Sequence, residues 1–178
     1  MLKIGMGGPV VVALTVVGLL VSADAWGDTA TVLGVSKNWT AYTSGGGPGK
    51  VCYTMSLPKS SQPKKLKRDA VGFLINDWPS GKTRGEPEIV PGYKFKDGST
   101  VTVEIGSDKF TLFTTNDGGS GSAWIKGSND EARMIEVMQK GVEAVVSGMS
   151  ARGTMTRDTY ALDGLSDSLT KIHSACSM

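Results

Sequence analysis

The chain holds one histidine, His173, and two cysteines, Cys52 and Cys176, and those side chains bound the reactions it can run. A Ser-His-Asp triad would have to use His173, but no GxSxG elbow is present to present a nucleophilic serine. A catalytic zinc site asks for more than one His or Cys ligand at suitable spacing, which this sequence does not offer. The run SGGGPGKV, from Ser44 to Val51, has the look of a phosphate loop. Ser44 stands where its first glycine belongs, and Val51 where Ser or Thr should follow the lysine. The run also leads into a strand pattern, so no helix N-terminus is there to hold phosphate. Asp158 and Asp163 lie close enough for a carboxylate-only cation site, yet they read better as a strand-surface residue and a helix N-cap. His173 reads as a helix-end residue favoured by the carbonyl dipole. No catalytic residue, cofactor or metal is expected.

What remains is charge. Lys64, Lys65, Lys67 and Arg68 cluster beside Lys59 in the polar connection Pro58–Arg68. Such a group suits anionic lipid headgroups, polyanionic glycans or an acidic protein partner. The plainer reading is a solvated loop that keeps a neighbouring strand edge from aggregating. The formal net charge is only +2, which speaks against a dedicated nucleic-acid binder. Trp39, Trp78 and Trp124 suit either a binding surface or core packing.

The first 25 residues bear on compartment. Lys3 precedes Pro9–Val21, apolar apart from Thr15 and Gly18, and Ala23-Asp24-Ala25 follows. That order is the pattern of a secretory signal peptide, giving a leader over 1–25 and a single β-rich domain over 26–178 that begins near Trp26. An uncleaved anchor is the alternative, but a spanning helix needs about 20 apolar residues and the clean run is shorter. No transmembrane helix is expected after leader removal. In an oxidising compartment the simplest reading of Cys52 and Cys176 is one disulfide. It would close a loop of about 125 residues, worth ~5 kcal/mol in the chain-entropy model. Two free or metal-binding thiols are the competing reading.

The elements that would position these groups are mostly strands. Gly is abundant at 24 residues, and Ser and Thr are frequent, as in strand-and-turn proteins. Val35–Thr43 and Lys50–Leu57 read as an opening hairpin around Ser44–Gly49. In the second strand Val51, Tyr53, Met55 and Leu57 form the more apolar face, opposite Cys52, Thr54 and Ser56. Asp69–Trp78 is a third strand, Pro79–Glu88 an exposed loop, and Glu88–Lys96 ends in a short strand. Val101–Ile105 and Lys109–Thr115 alternate cleanly and form a hairpin. Asn116–Gly121 is a loop, and Ser122–Lys126 a short strand around Trp124.

Ser128 and Glu131 make a capping box for a helix that carries Met134, Ile135 and Met138 on one face and stops at Gly141. Glu143–Met149 and Thr154–Leu162 pair as strands. Gly164–Ser174 is a second helix, with Leu165, Leu169 and Ile172 at helical spacing. Together these predict a mainly β chain: an antiparallel β-sandwich or barrel-like domain with two short helices.

The order of these elements resembles the invasion-associated locus B family of exported bacterial proteins. The likeness rests on WTAY, KVCYTMSLP, SAWI, the NDEARMIEVMQKG helix and, most specifically, SARGTMTRDTYALDGLSDSLTKIHSAC. It implies a periplasmic or surface-exposed protein with no ascribed enzymatic activity or cofactor, some members being linked to host-cell invasion. It also implies Cys52–Cys176 as a disulfide pair. The expected function is therefore binding to an unknown envelope or host-surface protein, with weak anionic surface contact, through loops such as Lys59–Arg68 and Pro79–Glu88. The alternatives are a periplasmic structural or stress-related protein without a ligand and, in third place, a hydrolase.

Overall fold

The computed structural model describes residues 29–117 and 119–178; the leader expected over 1–25 and the start near Trp26 lie outside the described residues. The strands are β1 (Thr31–Ser36), β2 (Trp39–Ser44), β3 (Val51–Ser56), β4 (Ser60–Gln62), β5 (Gly72–Trp78), β6 (Thr83–Val90), β7 (Thr100–Ile105), β8 (Asp108–Thr115) and β9 (Ser122–Trp124). Helix α1 (Ser128–Lys140), β10 (Glu143–Met149), β11 (Met155–Ala161) and α2 (Leu165–Cys176) complete the order. The strands form one sheet, β1-β2-β3-β5-β6-β9-β8-β7-β10-β11-β4, antiparallel throughout. Among the described residues no helix is long and apolar enough to cross a membrane.

The sheet is not closed, but it curls until its two ends meet, as a long twisted sheet tends to do. The Trp39 indole on β2 donates to the Ala161 carbonyl on β11 at 3.0 Å. Phe73 on β5 sets its ring edge-on to Tyr160 on β11 at 5.5 Å. Trp39, Phe73 and Tyr160 are fully buried, so this aromatic cluster joins strands that are far apart in the sheet order. The expected mainly β, barrel-like architecture with two helices is what the structure shows.

One member of that cluster is imperfectly solvated. The Tyr160 hydroxyl has no hydrogen-bond partner among the described residues, and burial pushes its ionisation well above the ordinary tyrosine range. An unmade buried hydrogen bond costs about 1–3 kcal/mol. Tyr160→Phe keeps the ring contact and removes the orphan, so urea unfolding should show it about 1 kcal/mol more stable than wild type.

Several local expectations are corrected. The single strand expected over Val35–Thr43 is two strands, β1 and β2, because Lys37 turns the chain with a φ of 51° and Asn38 beside it suits a tight turn. The exposed loop expected at Pro79–Glu88 is a short 3-10 turn, Pro79–Gly81, followed by β6. In β3 the buried side is Cys52, Thr54 and Ser56, not the more apolar one. Helix α2 supplies the partners that make this affordable: Ser168 hydrogen-bonds Thr54 and Cys176 bonds Cys52. The displaced apolar side faces outward, where Tyr53 stacks on Tyr42 at 5.0 Å.

The capping box is absent as well. Gly127 is the N-cap of α1, no side chain caps it, and Ser128 is the first helical residue. Asp130 and Glu131 still occupy the first turn, where the dipole favours them. Gly141 ends α1 at a φ of −80°; glycine is needed there because a Cβ would come within 2.6 Å of Ile105. The face of Met134 and Met138 is buried as expected, as are Leu165, Leu169 and Ile172 of α2.

Candidate binding cleft

The basic connection is not a free loop. Its start becomes β4, which pairs along β11 with Asp158 opposite Ser61. Its end, Arg68, folds inward over that pair. Both Arg68 guanidinium nitrogens donate to the Asp158 carboxylate at 2.7 Å, with further bonds to Ser61 at 2.9 Å and to the Pro91 carbonyl at 3.3 Å. The side chains are only 7% and 4% exposed. The bond to Asp158 raises the Arg68 ionisation above its ordinary value. Arg68 is therefore an internal strut rather than a free surface cation. Asp158, expected on a strand surface, is its buried counter-ion. The reason is the inward parity of Thr156, Asp158 and Tyr160 on β11.

The other lysines divide. Lys59 pairs with Glu143 at 2.6 Å on the surface. Lys64, Lys65 and Lys67 are exposed, with no ion pair among the described residues. Lys67 lines a cleft of about 470 Å³ together with Leu66, Arg68, Tyr93, Lys94 and Arg152. Three segments build it. The Lys64–Asp69 loop is pinned where the Asp69 amide donates to the Gly92 carbonyl at 3.0 Å. Gly92 has a φ of 72°, and a Cβ there would lie 2.6 Å from the Asp69 carbonyl oxygen, so only glycine lets the two segments approach.

The second segment carries Tyr93, whose hydroxyl bonds Thr156 at 2.6 Å and whose ring meets Phe95 edge-on at 5.5 Å. The third is the turn after β10. The Ala151 amide donates to the Lys94 carbonyl at 2.7 Å, and the Thr154 amide to the Ser150 hydroxyl at 3.1 Å. Lys94 and Arg152 are exposed and, like Lys67, unpaired with any carboxylate among the described residues. Sequence reasoning missed both, because each lies far along the chain from the lysine run. A larger groove of about 830 Å³ lies beside α1, but Glu104 there already faces Lys109 at 3.6 Å and Arg157 at 3.7 Å.

His173 occupies the last turn of α2, as expected. It also makes a bond the sequence did not announce. Its Nδ1 lies 2.7 Å from the fully buried carboxylate of Asp77, whose other oxygen accepts the Gly85 amide at 2.8 Å. Asp77 lies opposite Cys52 in the β3–β5 register, and Cys176 is three residues beyond His173. The disulfide, with Cα atoms 5.9 Å apart, and the His–Asp pair thus fasten the same end of α2 to the sheet. Asp163, expected to cap α2, pairs instead with Lys37 at 2.7 Å, and Gly164 takes the cap. Among the described residues no group of three or more His, Cys, Asp or Glu is placed to hold a metal ion. Trp39 is core, while Trp78 is partly exposed and donates to Glu86 at 2.9 Å.

Glu88 is a half-buried carboxylate near the sheet centre with a raised ionisation. It lies between Leu74 and Trp124 in register and accepts from Ser122 at 2.8 Å and Asn76 at 3.1 Å. Burial raises its ionisation above the ordinary value of 4.5, against the lowering effect of those two bonds. A raised folded value means the native state holds the proton more tightly. The stabilisation it gives is complete below the unfolded value and fades as pH rises through the folded one. Glu88→Gln should therefore gain in urea midpoint relative to wild type at neutral pH, with the difference shrinking as pH falls toward ~4.

No protein-family model matches the chain, and no curated protein matches it. Among solved structures it is similar to invasion associated protein B from Bartonella henselae, with a TM-score of 0.55 and 10% identity. The likeness covers 83% of this chain and 99% of that one. At that identity it is a likeness of fold.

Proposed function

We propose that this chain is an exported envelope or surface protein of the invasion-associated locus B kind that acts by binding rather than by catalysis. The observation that carries this reading is the fold likeness, which extends over nearly the whole of the Bartonella protein. Two features support it. The Cys52–Cys176 disulfide suits a periplasmic or extracytoplasmic setting. The cleft beside Lys67 offers cations to a partner on a rigid base. The partner is an envelope or host-surface protein.

Cell fractionation with protease treatment of intact cells tests the reading. Recovery in the envelope with cleavage by external protease is the expected result. Full protection would favour a periplasmic structural or stress-related role, and a cytoplasmic pool would overturn export. A hydrolase reading draws on the Asp77–His173 pair, because an oriented imidazole is what a general base needs. Labelling of wild type, but not of His173→Ala, by a fluorophosphonate probe would favour it.

A further inference from the structure

We infer that the cleft formed by Leu66, Lys67, Tyr93, Lys94 and Arg152 binds an acidic peptide segment that carries an apolar side chain between its carboxylates. This rests on the binding reading and specifies its site and ligand chemistry. The charge argument comes first. Lys67, Lys94 and Arg152 reach the cleft from three separate segments, and none meets a carboxylate among the described residues. Arg68 beneath them is already neutralised by Asp158, and Asp69 is the one acid in the lining. The rim is therefore positive by about two charges on a chain whose whole net charge is +2. Concentrating that excess at a concave site draws anions to it.

The walls narrow the class of anion. Leu66 is 37% exposed, and the half-buried Tyr93 ring lies in the same lining. A polyanionic glycan has charges but no side chain to fill an apolar wall, and a lipid surface is too flat to enter a cleft. A peptide supplies both parts, with carboxylates on the rim and an aromatic or aliphatic group against Leu66 and Tyr93. The base is preorganised by the Arg68–Asp158 pair, the Tyr93–Thr156 bond and the close approach at Gly92, so little ordering is needed on binding.

Fluorescence anisotropy with a fluorescein-labelled Asp-Glu-Phe-Asp-Glu peptide tests this. Wild type should bind it, more weakly as salt rises. Lys94→Glu with Arg152→Glu should lose roughly tenfold or more in affinity, from two reversed rim charges. Lys64→Glu with Lys65→Glu, outside the cleft lining, should change it little. Leu66→Ser should weaken binding of the Phe peptide but not of its Phe→Gly analogue. Melting curves confirm that these surface variants fold.

Two results would overturn the inference. One is no peptide binding by folded wild type. The other is binding of heparin or phosphatidylglycerol vesicles that depends on Lys64 and Lys65 while the cleft variants behave as wild type. Either would leave the wider reading standing, since that is decided by where the protein is found in the cell.

Discussion

Arg68→Ala destabilises the protein by about 3–5 kcal/mol, read as a fall in urea midpoint at neutral pH. The figure follows from what the truncation leaves behind. Asp158 is 4% exposed as a side chain and sits on β11 among Thr156 and Tyr160, both buried. Without the guanidinium it keeps a charge in a largely buried position with its ion-pair partner gone. Ser61 and the Pro91 carbonyl lose their donors in the same step, loosening β4 and the approach to the cleft. Asp158→Ala should cost a similar amount from the opposite side. The double replacement Arg68→Met with Asp158→Leu should recover much of the loss, because with both partners replaced no lone buried charge remains. If Arg68→Ala stayed within about 0.5 kcal/mol of wild type, as surface substitutions usually do, Arg68 would be a solvated loop residue and the strut would not exist.

Removing the disulfide is the second large effect. Cys52→Ala with Cys176→Ala should lower stability by about 2–5 kcal/mol. The bond spans a sequence separation of 124, so its absence frees nearly the whole described chain in the unfolded state. Both cysteines are buried at the junction of α2 with β3. Helix α2 keeps other fastenings there: Thr54 with Ser168, Lys171 with Ser36 at 2.9 Å, and Asp77 with His173. The variant should therefore unfold in one cooperative transition at lower urea, with near-wild-type far-ultraviolet circular dichroism beforehand. Adding Asp77→Ala should cut deeper than the two changes summed, because both hold one end of one helix. A double-alanine variant as stable as wild type, or one in which α2 melts separately, would contradict this.

Much of the architecture was legible in the sequence because alternation is a local signal. Val101, Val103 and Ile105 mark β7, and its hairpin with β8 forms as expected. Leu165, Leu169 and Ile172 mark α2. The failures came where tertiary partners outvoted local pattern. The polar side of β3 is buried because α2 provides Ser168 and Cys176. Asp158 is buried because Arg68, 90 residues earlier, reaches it. Lys37 turns the chain within an apparently continuous strand, a backbone choice that side-chain parity does not encode.

The candidate site divides along the same line. The lysine run is visible as composition. Its sorting into a strut, a surface pair and a cleft wall depends on contacts with β11 and with the turn after β10. Lys94 and Arg152 carry no local signal at all, and only folding brings them beside Lys67. His173 advertised its helix-end position but not its bond to Asp77, because the residue that orients it lies on β5.

The most direct test of the proposal that this protein is exported and clasped around its own sheet by a disulfide is non-reducing peptide mapping by mass spectrometry of the native protein from the producing cell. The predicted result is a first residue near Trp26 and a Cys52–Cys176 cross-linked peptide. An intact Met1 together with two alkylatable thiols would contradict it.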